Sequence, residues 1–189
     1  MSAGPVQTEG IVVERRPYGD TSLIVRWLTP ELGRISTIAK GARKPKSVWA
    51  GQIDLFYHCQ LLAAPPRSGD LYQLREAQLQ HVYRNLSRDW ILPVALQYFG
   101  DLIAAVTEEG TALPEEFALY QRALAYLDEN PVNLRVVRKF EFVLLEHCGY
   151  APGPADKVER VLDRAHLPVP KSRLRLMKEL RSREGEAAT

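Results

Sequence analysis

Cysteine is almost absent from this sequence of 189 residues, being present only as Cys59 and Cys148. Neither belongs to a CxxC pair or a Cys/His cluster, so neither a disulfide scaffold nor a tetrahedral zinc site is expected, and two buried thiols are. Long apolar runs are absent too. No stretch reaches the roughly 18 uninterrupted apolar residues of a membrane-spanning helix, and Met1 to Gln7 lacks the basic start and apolar centre of a secretory signal. A cytosolic protein without a membrane partner is therefore expected. Reactive constellations are equally scarce. His58, His81, His147 and His166 are scattered along the chain, and Glu108-Glu109 and Glu115-Glu116 read as charges at helix ends. The stretch Gly149 to Gly153 has two glycines but no following Lys-Ser/Thr and no preceding strand, so it is not a phosphate-binding loop. With no nucleophile and base, carboxylate pair or metal cluster, no enzyme and no cofactor is expected.

What the sequence does contain is a segregated charge. A net charge of +2 and 46% apolar residues describe an ordinary folded chain, large enough for one domain or two small ones. Residues 1–49 carry eight Lys/Arg and four Asp/Glu, residues 50–170 eleven and sixteen, and residues 171–189 six and three. Two basic ends flank an acidic middle, a pattern that suits a polyanion at the ends and a different partner, or none, in the centre. The densest basic segment is Lys40-Gly41-Ala42-Arg43-Lys44-Pro45-Lys46. Mobile cations and free backbone N–H groups are what a phosphate contact needs, although a solvated turn would have the same composition.

The periodicity changes once along the chain. Five short runs rich in β-branched and apolar residues, Thr8–Arg16, Thr21–Leu28, Arg34–Lys40, Ile53–Ala63 and Leu71–Val82, alternate with turn signals and predict a small five-stranded barrel. From Ser87 the apolar residues recur at three- and four-residue steps. Helices are predicted from a Ser87 cap to a Gly110 stop, from Pro114 to Asn130, and over Val132–His147 with a left-handed cap at Gly149. A short helix over Ala155–Ala165 and a basic one over Lys171–Arg183 complete the expected α+β chain, an N-terminal barrel followed by an all-helical region.

Binding chemistry remains. A five-stranded barrel holds a nucleic-acid strand by placing cations along the backbone and aromatic faces under the bases. The cations available are Arg15, Arg16, Arg26, Arg34, Lys40, Arg43, Lys44 and Lys46, and the aromatic platforms are Tyr18, Trp27, Trp49, Phe56 and Tyr57. Trp27 and Phe56 lie within apolar runs and are read as core, whereas Tyr18 and Trp49 lie beside turns and are the better platforms.

These residues fall into ordered blocks: Glu9-Gly10-Ile11-Val12, Arg16-x-Tyr18-Gly19-Asp20, Ile24 to Leu28 with Thr29-x-Glu31-x-Gly33, and Ala39-Lys40-Gly41-Ala42-Arg43-x-x-Lys46-Ser47. Gly69-Asp70-Leu71, Glu76-Ala77, Lys139-Phe140-Glu141-x-x-Leu144-Leu145 with Gly149-Tyr150, and Lys171-Ser172-Arg173 continue the series. In this the chain resembles the RecO recombination mediators of bacterial DNA repair. The resemblance implies an OB-fold nucleic-acid-binding domain over residues 1–83 and a helical domain over 84–189. It implies binding of single- and double-stranded DNA, annealing of complementary strands, pairing with RecR and indirect loading of RecA, with no bond made or broken. DNA would be held by Arg16, Tyr18, Arg34, Lys40, Arg43, Lys44, Lys46, Trp49, Lys171 and Arg173. The family also captures the acidic, apolar C-terminal tail of single-stranded-DNA-binding protein. By analogy, Arg138 or Lys139 would meet the tail carboxylates and Phe142 or Leu145 would line an apolar pocket.

Two departures from the family pattern bear on function. Many relatives carry a longer segment after the Gly-Tyr pair, often with four cysteines for zinc. Here twenty residues without a cysteine separate Tyr150 from Lys171, so zinc is not expected and the surface for DNA or RecR is reduced. The other departure is Asp54, where the family commonly places Gln-Pro before the aromatic residue. An OB-fold adaptor that binds RNA, or only protein, stands as the alternative reading.

Overall fold

A computed structural model describes residues 4–66, 68–153 and 156–186 of the chain. The described residues form two compact units, one reaching Tyr83 and taking in Glu108–Phe117, the other made of Arg84–Thr107 and the chain from Ala118 onward.

Five strands build the first unit: β1 (Val6–Tyr18), β2 (Ser22–Thr29), β3 (Gly33–Ala39), β4 (His58–Ala64) and β5 (Leu71–His81). They close into a barrel in the order β1-β2-β3-β5-β4. Closure depends on the length of β1, which pairs antiparallel with β4 through its first half (Val6 with Ala63) and with β2 through its second (Ile11 with Leu28). The one parallel pairing, Ser36 of β3 with Leu71 of β5, fixes the OB-type topology. A bulge between Val12 and Glu14 re-aims β1, so Ile11 and Val12 are both buried while Arg15 to Tyr18 run out into solvent.

The barrel interior is filled by Val12, Val25, Trp27, Ile35, Ala39, Ile53, Cys59, Leu61 and Leu74. Trp27 is fully buried, and its indole N–H donates to the Thr37 hydroxyl at 2.9 Å, which removes the cost of an unpaired buried donor. Phe56 is core as expected, yet the run Ile53–Ala63 is only partly strand. Phe56 has φ +66 and its N–H bonds Val12 O, while Tyr57 N–H closes a turn on Asp54 O, so the chain bends before it pairs as β4.

Glu108–Phe117 packs with the barrel for a local reason. Leu113 N–H donates to Pro30 O at 2.8 Å, and Gly33, at φ +64, lies so close that a Cβ there would stand 1.9 Å from Thr111 O. Glycine is required twice over, for the left-handed backbone and for the approach.

The second unit consists of a 3-10 turn (Arg84–Arg88) and α1 (Ile91–Val106), α2 (Pro114–Glu129, from Ala118), α3 (Leu134–His147), α4 (Val158–Arg164) and α5 (Lys171–Glu186). The expected cap Ser87 lies within the 3-10 turn, and α1 begins later, where Asp89 Oδ1 accepts from Ile91 N–H at 3.2 Å. α1 buries Leu92, Leu96, Phe99 and Ile103 completely or nearly so, and Phe99 stacks on Phe140 of α3 at 3.9 Å. At the end of α3 the chain turns as expected, with Gly149 at φ +78 while Gly149 N–H bonds Glu146 O and Tyr150 N–H bonds Leu145 O. Ala155, the expected start of α4, lies outside the described residues.

α5 is fastened at both ends by charge. Arg173 Nε donates to Glu141 Oε1 at 2.9 Å and its other arm reaches Glu159, while Tyr98 O–H donates to the same Glu141 oxygen at 2.6 Å. Burial pushes the Tyr98 phenol far up, reinforced by Glu141. Burial also opposes the Arg173 charge, but Glu141 and Glu159 outweigh it and hold the guanidinium above its ordinary value. Near the other end Arg183 forms a two-pronged pair with Asp89 at 2.5 and 2.6 Å and lies over the Trp90 ring. Leu176 and Leu180 bury the face between them. Among the described residues no helix is long and apolar enough to cross a membrane.

Candidate nucleic-acid interface

Residues 40–57 between β3 and β4 form the basic loop, built as a succession of tight turns rather than a hairpin tip. The N–H groups of Ala42, Lys44, Ser47, Ala50 and Gln52 each close on the carbonyl three residues earlier. Two further bonds tie this coil to the β1–β2 turn and a third closes within it. Arg43 N–H donates to Thr21 O at 2.8 Å, the Arg43 guanidinium reaches Gly19 O at 3.1 Å, and the Trp49 indole donates to Lys40 O at 3.0 Å. Trp49 also packs against the barrel core, so it supports the loop from beneath instead of offering a free face for a base.

The outer side of the loop is cationic and unneutralised. Lys40, Arg43, Lys44 and Lys46 are exposed, and among the described residues none has an acidic partner. Lys46 occupies the left-handed region at φ +60, uncommon for a side chain of this kind. Successive turns that switch hand point backbone N–H groups outward, and those of Gly41, Lys46 and Val48 have no acceptor among the described residues. Val48 stands 82% exposed at the same apex. Arg16 is exposed and unpaired among the described residues, and Tyr18, 51% exposed, lies one residue before the Gly19 that Arg43 holds. The loop and the β1–β2 turn therefore present one continuous set: four loop cations, Arg16, one aromatic ring and free N–H donors.

Other sequence-predicted cations are diverted. Arg34 is largely buried beside Glu109 at 3.6 Å, and burial lowers its pKa against the pull of that carboxylate. Arg15 pairs with Asp54 at 2.6 Å and donates to Ile53 O, and Arg26 pairs with Glu14 at 3.0 Å. Asp54 thus pairs with Arg15 at the loop's exit. Arg173 lies on a basic helix as expected, but its Nε and one terminal nitrogen are taken up internally by Glu141 and Glu159. Lys171 is exposed.

The tail-binding residues separate onto two faces of α3. Arg138, Phe142 and Leu145 line a cleft of about 440 Å³ with residues of α4 and α5, whose floor also holds Glu141 and Glu159. Lys139 lines another cleft of about 490 Å³ between α2 and α3. That second cleft has Phe99, Leu119, Val136, Phe140 and Val143 as its apolar lining, Arg122, Arg135 and Lys139 as its cations, and no carboxylate. Sequence reasoning missed Arg122 and Arg135, although the spacing of Arg135, Lys139 and the apolar Val136, Phe140 and Val143 puts them on one helical face. Burial pushes the Cys59 thiol up to about 12, and no three His, Cys, Asp or Glu side chains among the described residues come together as metal ligands.

Two family profiles match this chain: Recombination protein O N terminal over residues 1–83 and Recombination protein O C terminal over residues 87–158. Among similar proteins, DNA repair protein RecO of Alkaliphilus metalliredigens is 31% identical over 148 residues, which is 78% of this chain and 59% of that protein. DNA repair protein RecO of Actinobacillus pleuropneumoniae serotype 7 is 34% identical over 142 residues, covering 75% and 58%, and that of a Synechocystis strain is 35% identical over 149 residues, covering 79% and 54%. In these matches the aligned part amounts to less than two thirds of each relative. With a closed five-stranded barrel under the first profile and helices under the second, the chain belongs to the RecO recombination-protein family.

Proposed function

We propose that this chain is a non-enzymatic mediator of recombinational DNA repair, acting in the cytoplasm by binding DNA strands and bringing complementary ones together. The observation that carries the reading is the outer side of the basic loop, with cations and free N–H donors that have no acidic partner among the described residues. Such a surface grips phosphates and reads no base edges, so it accepts single- and double-stranded DNA alike. Cations shared between two backbones lower their mutual repulsion, which is the physical requirement for annealing. Arg16, Lys40, Arg43, Lys44 and Lys46 form the grip, and Tyr18 supplies the stacking face.

The carboxylate-free cleft between α2 and α3 is the better home for the acidic, apolar tail of single-stranded-DNA-binding protein: Arg135 and Lys139 meet carboxylates and Phe140 and Val143 meet side chains. RecR and, through it, RecA are the further partners that family membership suggests.

The test is annealing of complementary oligonucleotides with and without a competing tail peptide. The wild-type chain accelerates annealing, and Lys40→Gln/Lys44→Gln/Lys46→Gln removes most of the acceleration. No acceleration by the wild type, together with equal or better displacement of bound DNA by RNA, replaces this reading with the RNA or protein adaptor.

A further inference from the structure

We propose that the solvent face of α5 is a second nucleic-acid backbone site, so that annealing holds one strand on the barrel unit and one on the helical unit. The inference rests on the annealing reading above and adds where the second strand goes. α5 carries six Lys/Arg in its described residues, and the fold sorts them. Arg173 and Arg183 are consumed by Glu141, Glu159 and Asp89 as they fasten the helix. Lys171, Arg175, Lys178 and Arg181 lie exposed, and among the described residues none forms an ion pair, although Lys178 and Arg181 line a cleft that also holds Glu159.

Their spacing puts like charges side by side on the helix, with Glu179, four residues after Arg175, as the acid within the same stretch. Lys171 and Arg175, Arg175 and Lys178, and Lys178 and Arg181 are neighbours at four, three and three residues. Each such like-charged pair costs a helix roughly 0.2–0.5 kcal/mol, where an acid at the same position would stabilise it by as much. Lys171 adds a cation at the positive end of the helix dipole, and the first turn holds no acid to offset it. A phosphate backbone relieves all of these repulsions together. The stripe spans about 15 Å at 1.5 Å per residue, the length of about four nucleotides at 3.4 Å each. Leu174, 72% exposed within the stripe, gives the sugar or base edge an apolar contact that a simple anion would not use.

The experiment titrates the full chain with short oligothymidylate and, separately, follows annealing. Wild type binds two oligonucleotides per chain at low salt. Lys171→Gln/Arg175→Gln/Lys178→Gln/Arg181→Gln, with helix content checked by circular dichroism, binds one, keeps the tighter affinity, and anneals about tenfold more slowly through the lost counterion release. If that variant is destabilised, Arg175→Gln/Lys178→Gln, which leaves Arg173 and its partners intact, shows the same direction of change. A stoichiometry of two in the variant, unchanged annealing, or loss of binding to phosphatidylserine vesicles but not to oligothymidylate overturns the proposal. Failure of the loop reading looks different: the loop variant would then keep full affinity and annealing whatever α5 does.

Discussion

The most direct prediction concerns the salt dependence of single-strand binding after Lys40→Gln/Lys44→Gln/Lys46→Gln. Arg43 is left in place because its guanidinium ties the loop to Gly19 O, and removing it would confuse geometry with charge. Five cations, Arg16, Lys40, Arg43, Lys44 and Lys46, face outward from the loop and the end of β1. At about −0.7 per phosphate on a single strand, five contacts give a slope of roughly −3.5 in log affinity against log salt, and the triple variant roughly −1.4. Raising salt fourfold should then weaken the wild type by about 130-fold and the variant by only about 7-fold. Fluorescence anisotropy with labelled oligothymidylate at four salt concentrations measures both slopes, and the unfolding midpoint confirms that the variant is folded. The two slopes should differ by roughly two units. Parallel lines for the two proteins would show that the loop makes no phosphate contacts, and the grip would have to be sought elsewhere.

Three further outcomes follow from the packing. Gly33→Ala should destabilise the barrel by more than the roughly 1–3 kcal/mol of left-handed backbone alone, because its Cβ would meet Thr111 O at 1.9 Å; an unchanged thermal midpoint refutes the close approach. Glu141→Ala should cost about 1–3 kcal/mol, because buried Tyr98 loses its acceptor and Arg173 keeps only Glu159, while Glu141→Met with Arg173→Met, which removes both charges of the pair, costs less. Equal losses in urea unfolding of these two variants would remove the buried pair as the cause. Burial pushes the Cys59 thiol up to about 12, above the ordinary range of a thiol, so the unfolded state releases its proton first as pH rises. Its contribution is therefore complete below the unfolded value and fades as pH climbs from there towards the folded one, a loss that Cys59→Ala should abolish in alkaline melting curves.

The barrel was legible because half-buried strands impose alternation and the turns between them need Gly, Pro and Asp. The strand over Ile53 to Tyr57 misled because apolar content marks burial, not pairing: Ile53 and Phe56 are core residues of a turn. Ser87 misled in the same way, since a good capping residue does not choose between a 3-10 turn and the first turn of α1. Among the candidate site residues, the exposure of Lys40, Lys44 and Lys46 was readable from a local basic run. Trp49 was not, because whether an aromatic beside a turn lies face-out or supports the loop depends on Lys40 O and the core beneath it.

Sequence alone determined that the cations of this chain concentrate at its two ends and that strands precede helices. These are properties of composition and period, and they survive without knowledge of any contact. Only the tertiary structure decided which cations remain available. Asp54, Glu109, Glu141, Glu159 and Asp89 lie far in sequence from most of the arginines they neutralise, and a partner brought close by folding is invisible in a local pattern. Folding thus turns a diffuse excess of positive charge into two defined faces, the basic loop of the barrel and the outer stripe of α5.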